Sequence, residues 1–161
     1  MTISIDLTGR RIAVTGASSG LGAATCRAIV EYGGSVVMLA RRKERLEELE
    51  AELGVHAVGV PADVTDGEAL EAAIASGAER LGGLDGVVAA AGKSMVGAIS
   101  TGTPQLWRDL VELNFLGSLS AVHHALKHFP QTGRRDVVIV GSVAAVTPMP
   151  GTGLYSATKQ A

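Results

Sequence analysis

Cysteine is almost absent from this 161-residue sequence. Cys26 is the only one, so no intrachain disulfide can form and a cysteine-based zinc site is excluded. A reducing compartment fits that usage, and a cytoplasmic location is the expectation. Aromatics are scarce too, at 3%, so a core has to be built from small aliphatic side chains. Neither sign of charge dominates: 14 Lys and Arg against 16 Asp and Glu leave a net charge of -2, which gives no general attraction to phosphate backbones or anionic lipid. No nucleic-acid or membrane partner is expected. Residues 1–11 carry Asp6 within an apolar alternation and lack the apolar run and small-residue cleavage site of a secretion signal, which reads as a mature start. Residues 137–158 hold no charge and could span a bilayer by length. Pro148, Pro150, Gly151 and Gly153 would break a helix in that stretch, so a buried strand followed by a loop is expected.

What the sequence has in quantity is glycine, 21 residues, about twice its usual share, with no collagen period and no polar low-complexity tract. Together with 47% hydrophobic residues, this points to one folded domain with many close backbone approaches. Short apolar runs alternate with stretches of helical period, the pattern of beta-alpha units in a parallel sheet. Strands are predicted over 11–15, 35–40, 55–60, 84–91 and 137–141. Between them lie a helix ending near Tyr32 before Gly33 and Gly34, and a charged helix over 41–52 with Leu46, Leu49 and Leu53 on one stripe, closed by Gly54. Thr65 to Glu68 has the form of a capping box and opens a third helix. Thr103 before Pro104 opens a long fourth one that Pro130 ends. No internal repeat or linker interrupts the series. The expected fold is a doubly wound parallel sheet of Rossmann type.

Two motifs carry chemistry. Between the first strand and its helix stand Thr15, Gly16, Ala17, Ser18, Ser19, Gly20, Leu21 and Gly22. Glycines at that position let the backbone turn sharply and approach a pyrophosphate, whose charge meets free N–H groups and the positive end of the helix dipole. The spacing G-x-x-x-G-x-G differs from the more general G-x-G-x-x-G. Near the far end, Gly141 and Ser142 close a strand, and Tyr155 and Lys159 lie four apart. On a helix that spacing puts them on one face, where an ammonium can favour the phenolate. Taken alone, such a pair is more often an amphipathic surface pair.

With these residues in order and at these separations, the sequence resembles the classical short-chain dehydrogenase/reductase family along its whole length. Asp63, followed by Val64, matches the family's adenine-contacting aspartate, and Asn114, with Trp107 before it, matches its helix asparagine. Ser142, Tyr155 and Lys159 complete the family's Asn-Ser-Tyr-Lys tetrad. The resemblance implies a nicotinamide cofactor contacted by Gly16, Ser18, Ser19, Gly20, Leu21, Gly22, Arg41, Arg42, Asp63, Val64, Ala91, Gly92, Tyr155 and Lys159, with no metal. It implies hydride transfer between that cofactor and a small ketone or secondary alcohol. Tyr155 would be the acid, Ser142 would hold the substrate oxygen, and Lys159 would hold the nicotinamide ribose and act on the phenol. Asn114 would fix a water relay to Lys159 through a local distortion of its helix.

Two features depart from the family pattern. Its N-N-A-G after the fourth strand is here Ala89, Ala90, Ala91 and Gly92, without the two amides that tie neighbouring strands. The sequence also ends at Ala161, in what should be the first turns of a long helix, whereas family members reach about 250 residues as one domain. The missing part would hold further strands, the nicotinamide loop, the substrate lid and much of an oligomer interface, leaving strand five as an open apolar edge. The expectation is a piece of a longer enzyme that forms a homodimer or homotetramer, the alternative being a truncated, inert dinucleotide-binding module. At the end of strand two, Ala40 replaces the acid by which relatives hold the adenosine ribose of NAD(H). Arg41 and Arg42 follow it, which favours NADP(H); Arg42 also suits the start of the charged helix, while Arg41 stands where the family places its phosphate contact. His124 and His128 are four apart but have no further ligand partners, and Cys26, Trp107 and Tyr32 read as packing residues.

Overall fold

The computed structural model of the chain describes residues 5–147 and 149–161. Residues 1–4 of the expected mature start, and Pro148, lie outside the described residues. Five parallel strands, β1 (Arg11–Thr15), β2 (Ser35–Ala40), β3 (Ala57–Pro61), β4 (Gly86–Ala89) and β5 (Asp136–Ile139), form one sheet in the order β3-β2-β1-β4-β5. The register sets Ile12 opposite Val36 and Gly86, and Val88 opposite Val14 and Val138. From β1 the chain builds outward through β2 and β3, then crosses back to add β4 and β5 on the other side. This is the doubly wound, Rossmann-like arrangement, and its order reverses beside β1, where such sheets open a crevice for ligands.

The described residues form six α-helices, α1 (Gly20–Glu31), α2 (Lys43–Leu53), α3 (Gly67–Leu81), α4 (Pro104–Val111), α5 (Gly117–Leu126) and α6 (Gly153–Gln160), of which α1, α2, α3 and α5 pack on the sheet. Alternate strand residues face opposite sides, as the two-residue period requires. Ile12, Val14, Val36 and Met38 pack with Cys26, Ile29, Leu46 and Leu49 of α1 and α2. Ala13, Val37, Leu39 and Val87 pack with Leu70, Ile74, Ala121 and Ala125 of α3 and α5. Small residues bring the helices close to the sheet. A Cβ added to Gly77 in α3 would press into the Val37 side chain, and this tight fit takes the place of the aromatic bulk that the composition lacks.

At the N-terminal ends of the strands, charges tie three of them together. Arg11 grips Asp85 with two bonds, Nε to Oδ2 at 2.8 Å and Nη2 to Oδ1 at 2.9 Å, and its Nη1 reaches the Gly82 carbonyl. Arg10 donates to the Asp136 carboxylate and to the Asp85 carbonyl. β5 forms the outer edge of the sheet among the described residues, and Val137, Val138 and Ile139 are each about half exposed. Among the described residues, no helix is long and apolar enough to cross a membrane.

Several local expectations give way to the observed structure. Asp66, not Thr65, caps α3, accepting from the Ala69 N–H at 3.0 Å; the N–H and hydroxyl of Thr65 are taken by the Asp63 carboxylate instead. β3 starts at Ala57, because residues 54–56 form a 3-10 turn that leaves Val55 in solvent. The predicted long fourth helix divides: after α4 comes one π turn, Glu112–Leu116, and then α5, which ends at Leu126. Arg41 and Arg42 both precede α2, whose first residue is Lys43. β4 is shorter than the predicted 84–91, and β5 starts one residue before the predicted 137–141 and ends two residues short of it.

Candidate active site

The C-terminal ends of β1, β2, β3 and β4 converge on a groove of about 380 Å³, with the Gly-rich turn as one wall. The turn needs its glycines. Gly16 has φ of 70°, and a Cβ there would come within 2.9 Å of Ala91; one on Gly22 would run into the Gly16 carbonyl. The turn and the first turn of α1 are thus packed backbone against backbone, with no room for a side chain. Thr15, polar and buried at the end of an apolar strand, uses its hydroxyl oxygen to accept the N–H groups of both Ala90 and Ala91 at 3.1 Å. That tie joins β1 to the chain leaving β4, at the place where the two family amides are replaced by alanine. The sequence places Thr15 at the head of the Gly-rich motif without showing this tie; a lone hydroxyl closing a buried run was the signal for it.

Around Gly20 the space is open, since a Cβ there would meet nothing within 4 Å. Ser19 is the N-cap of α1, and its side chain makes no capping bond. The first N–H groups of α1 have no partner within the helix, and the helix dipole adds positive potential there. Arg42 folds back onto this wall, donating from Nη2 to Ser18 Oγ at 2.9 Å and to Ser19 Oγ at 2.7 Å. Arg41 points across the groove mouth, and its Nη1 lies 3.6 Å from Asp63 Oδ2. Burial resists ionisation of Asp63, but the N–H and hydroxyl of Thr65 and then the Arg41 guanidinium outweigh it, holding the carboxyl below its usual range. Open backbone, free helix N–H groups and a guanidinium held only by serine groups fit the pyrophosphate of a dinucleotide. Beyond the Arg41–Asp63 pair a second hollow runs over Met95, Leu106 and Leu110.

The other predicted residues gather on the β4 and β5 side. Asn114 sits in the π turn, 3% exposed. Its Oδ1 accepts the Lys93 N–H at 2.8 Å, while its Nδ2 donates to the Lys93 carbonyl at 3.0 Å and to Thr158 Oγ1 at 3.1 Å. Its own carbonyl accepts the Ser118 hydroxyl at 2.9 Å. Lys159 reaches out of α6 to donate to the Val140 carbonyl at 2.8 Å. A Cβ on Gly92 would lie 3.1 Å from Asn114 Oδ1 and 3.3 Å from Lys159 Nζ, so Gly92, Asn114 and Lys159 meet at one point. Ser142 caps a short 3-10 turn, its Oγ accepting the Ala144 N–H at 3.2 Å. Tyr155 is half-buried on α6, and its carbonyl accepts the Thr158 hydroxyl at 2.8 Å. Thr158, buried between the tetrad residues, was not singled out from sequence; nothing in the Tyr155-to-Lys159 spacing distinguishes it from an ordinary helix residue.

Elsewhere, His124 of α5 faces Glu71 of α3, 3.8 Å away, and burial first of all pushes its ring below the usual histidine range. Cys26 lies wholly inside the α1 side of the core, where desolvation pushes its thiol up to about 12.

The family profile described as short chain dehydrogenase matches residues 10–161. Serine 3-dehydrogenase from Rhizobium radiobacter is 39% identical over 150 residues, a match that covers 92% of this chain and 59% of that protein. A dehydrogenase/reductase from Sinorhizobium meliloti 1021 superposes with a TM-score of 0.90 at 34% identity, over 98% of this chain and 64% of that one. A short chain dehydrogenase from Burkholderia cenocepacia J2315, solved in complex with NADP, superposes with a TM-score of 0.88 at 30% identity, over 97% and 65%. The chain thus spans about three-fifths of the length of each of these proteins.

Proposed function

The chain belongs to the short-chain dehydrogenase family of oxidoreductases, and from that premise we propose that its protein transfers hydride between NADP(H) and a small ketone or secondary alcohol, with Tyr155 as the proton donor in reduction. The observation that carries this reading is the meeting of Lys159 and Asn114 on Gly92, at the edge of the groove that the Gly-rich turn opens. A nicotinamide ring bound there supplies or accepts the hydride. Everything else falls to side chains of this chain. The Ser142 oxygen accepts the Ala144 N–H, which leaves its hydroxyl hydrogen free to bond a substrate carbonyl oxygen. The Tyr155 phenol gives its proton to that oxygen in reduction and takes it back in oxidation. Lys159 spends one N–H on Val140 and keeps two for ribose hydroxyls and for the neighbourhood of the phenol.

NADP(H) is favoured over NAD(H) because Ala40 leaves no carboxylate to repel a 2′-phosphate, while Arg41 and Arg42 stand beside it. The Burkholderia relative was solved in complex with NADP, which supports this reading. A homodimer or homotetramer, as the family resemblance implies, and a cytoplasmic location, as the single cysteine suggests, complete the proposal. For these 161 residues taken by themselves, the exposed apolar β5 favours a second reading, a dinucleotide-binding module without turnover.

Tyr155→Phe in the full-length protein tests the assignment. Carbonyl-dependent NADPH oxidation should fall by about 100-fold to 10,000-fold, the range that general acid catalysis covers, with cofactor affinity nearly intact. A Phe variant that keeps more than about a tenth of the activity would show that another group is the acid.

A further inference from the structure

The Thr158 hydroxyl is a buried polar group that the mechanism above leaves unexplained. Its oxygen accepts a hydrogen from Asn114 Nδ2 at 3.1 Å, and its hydrogen goes to the Tyr155 carbonyl at 2.8 Å. Asn114, in turn, is held in one orientation. Its Oδ1 faces the Lys93 N–H and its Nδ2 faces the Lys93 carbonyl, so a flipped amide would set donor against donor and acceptor against acceptor. One hydrogen of that Nδ2 remains, and it points at Thr158. A single buried amide therefore ties the chain leaving β4 to helix α6.

We propose that Thr158 is a positioning residue of the hydride-transfer site: through its hydroxyl, the Asn114 amide sets the placement of α6, and with it Tyr155 and Lys159, relative to Gly92 and the chain leaving β4. This rests on the roles of Tyr155 and Lys159 given above. The physical need is plain in the geometry. α6 carries both the phenol and the ammonium, so any shift of that helix moves the two groups together. A small error in placing reacting groups costs rate steeply, about 100-fold for 1 Å. Thr158 is 7% exposed and Asn114 3%, so no water replaces the bond when it is removed. Gly92 adds the complementary constraint, because any side chain there would push on Asn114 and Lys159 together.

The test compares Thr158→Val, which keeps the shape and removes the hydroxyl, with Thr158→Ser, which keeps the hydroxyl, both in the full-length protein. An unsatisfied Asn114 N–H should lower kcat in the valine variant by about 5-fold to 100-fold. NADPH affinity should change by less than about 3-fold, since the Gly-rich turn is untouched. The serine variant should return kcat to within about 2-fold of the parent. Amide hydrogen exchange supplies a readout that needs no turnover: the valine variant should exchange faster both over 153–161 and over 93–97, because both segments hang on Asn114. Should the valine variant fail to fold, Thr158→Ala is read in the same way. The proposal is overturned by a valine or alanine variant with unchanged kcat, by a serine variant as impaired as the valine one, or by faster exchange confined to 153–161. A parent protein that reduces no carbonyl would instead overturn the proposed function, and the exchange comparison alone would then judge the Thr158 link.

Discussion

The two arginines after β2 should divide the preference for a 2′-phosphate unequally. Arg42 is already drawn onto the phosphate-binding wall by Ser18 and Ser19, and these are neutral hydroxyls that release it without leaving a charge unpaired. Arg41 is three-quarters exposed and paired with Asp63 at 3.6 Å, so turning it onto a phosphate means sharing or giving up an ion pair worth roughly 0 to 1 kcal/mol. A charge-assisted hydrogen bond contributes about 1.5 to 3 kcal/mol. Arg42→Ala should therefore cut the ratio of NADPH to NADH affinity by roughly ten-fold to hundred-fold. Arg41→Ala should cut it less, by a margin of up to about 5-fold, the equivalent of that 1 kcal/mol. Fluorescence titration of the full-length protein with each cofactor, before and after each change, measures these ratios. Equal affinities in the unaltered protein, or a ratio that neither variant moves, would refute the argument.

Three other outcomes follow from the same geometry. Gly22→Ala places a methyl against the Gly16 carbonyl, which is backbone and cannot swing aside; thermal or denaturant unfolding should show a loss of about 1 to 3 kcal/mol, with weakened dinucleotide binding. Asp85 is held below its usual range chiefly by the Arg11 side chain, against a smaller effect of burial. A carboxyl depressed on folding stabilises the protein above its unfolded value, 3.8, and loses that contribution as pH falls through the lower folded value; Asp85→Asn should remove this part of the acid sensitivity and lower stability at neutral pH. The Cys26 thiol, pushed up to about 12 by burial, should resist a thiol reagent at pH 8 until denaturant is added; fast labelling of the native protein would contradict its placement in the core.

The middle of the sheet was legible because β1 and β2 are buried on both faces. The 35–40 run has no wet side, and it became β2 residue for residue. Where burial is one-sided the apolar signal misled: Val55 is as hydrophobic as its neighbours but belongs to a solvent-facing turn, and its exposure depends on where α2 ends in space. Thr65 matched a capping pattern that Asp66 satisfies at shorter reach, once Asp63 had claimed Thr65. The π turn at Asn114 could be expected only from the family resemblance, because a five-residue change in helical winding leaves no mark on a hydrophobic period. The Gly-rich turn, Ser142, Tyr155 and Lys159 were readable as motifs. The bonds that Thr15 and Thr158 make were not, since each runs to a backbone or amide group far away in sequence.

The two ends of the sheet are fastened by different means, and this gives the molecule a mechanical direction. At the N-terminal ends, guanidinium forks lock β1, β4 and β5 through several charged bonds at once, the stiffest fastening a small protein has. At the C-terminal ends, neutral bonds from Thr15 and Asn114 do most of the joining, each worth about 0.5 to 1.5 kcal/mol, beside a charged bond from Lys159 to the Val140 carbonyl. A ligand arriving in the groove should therefore disturb the loops at that end more readily than the clamped base below them.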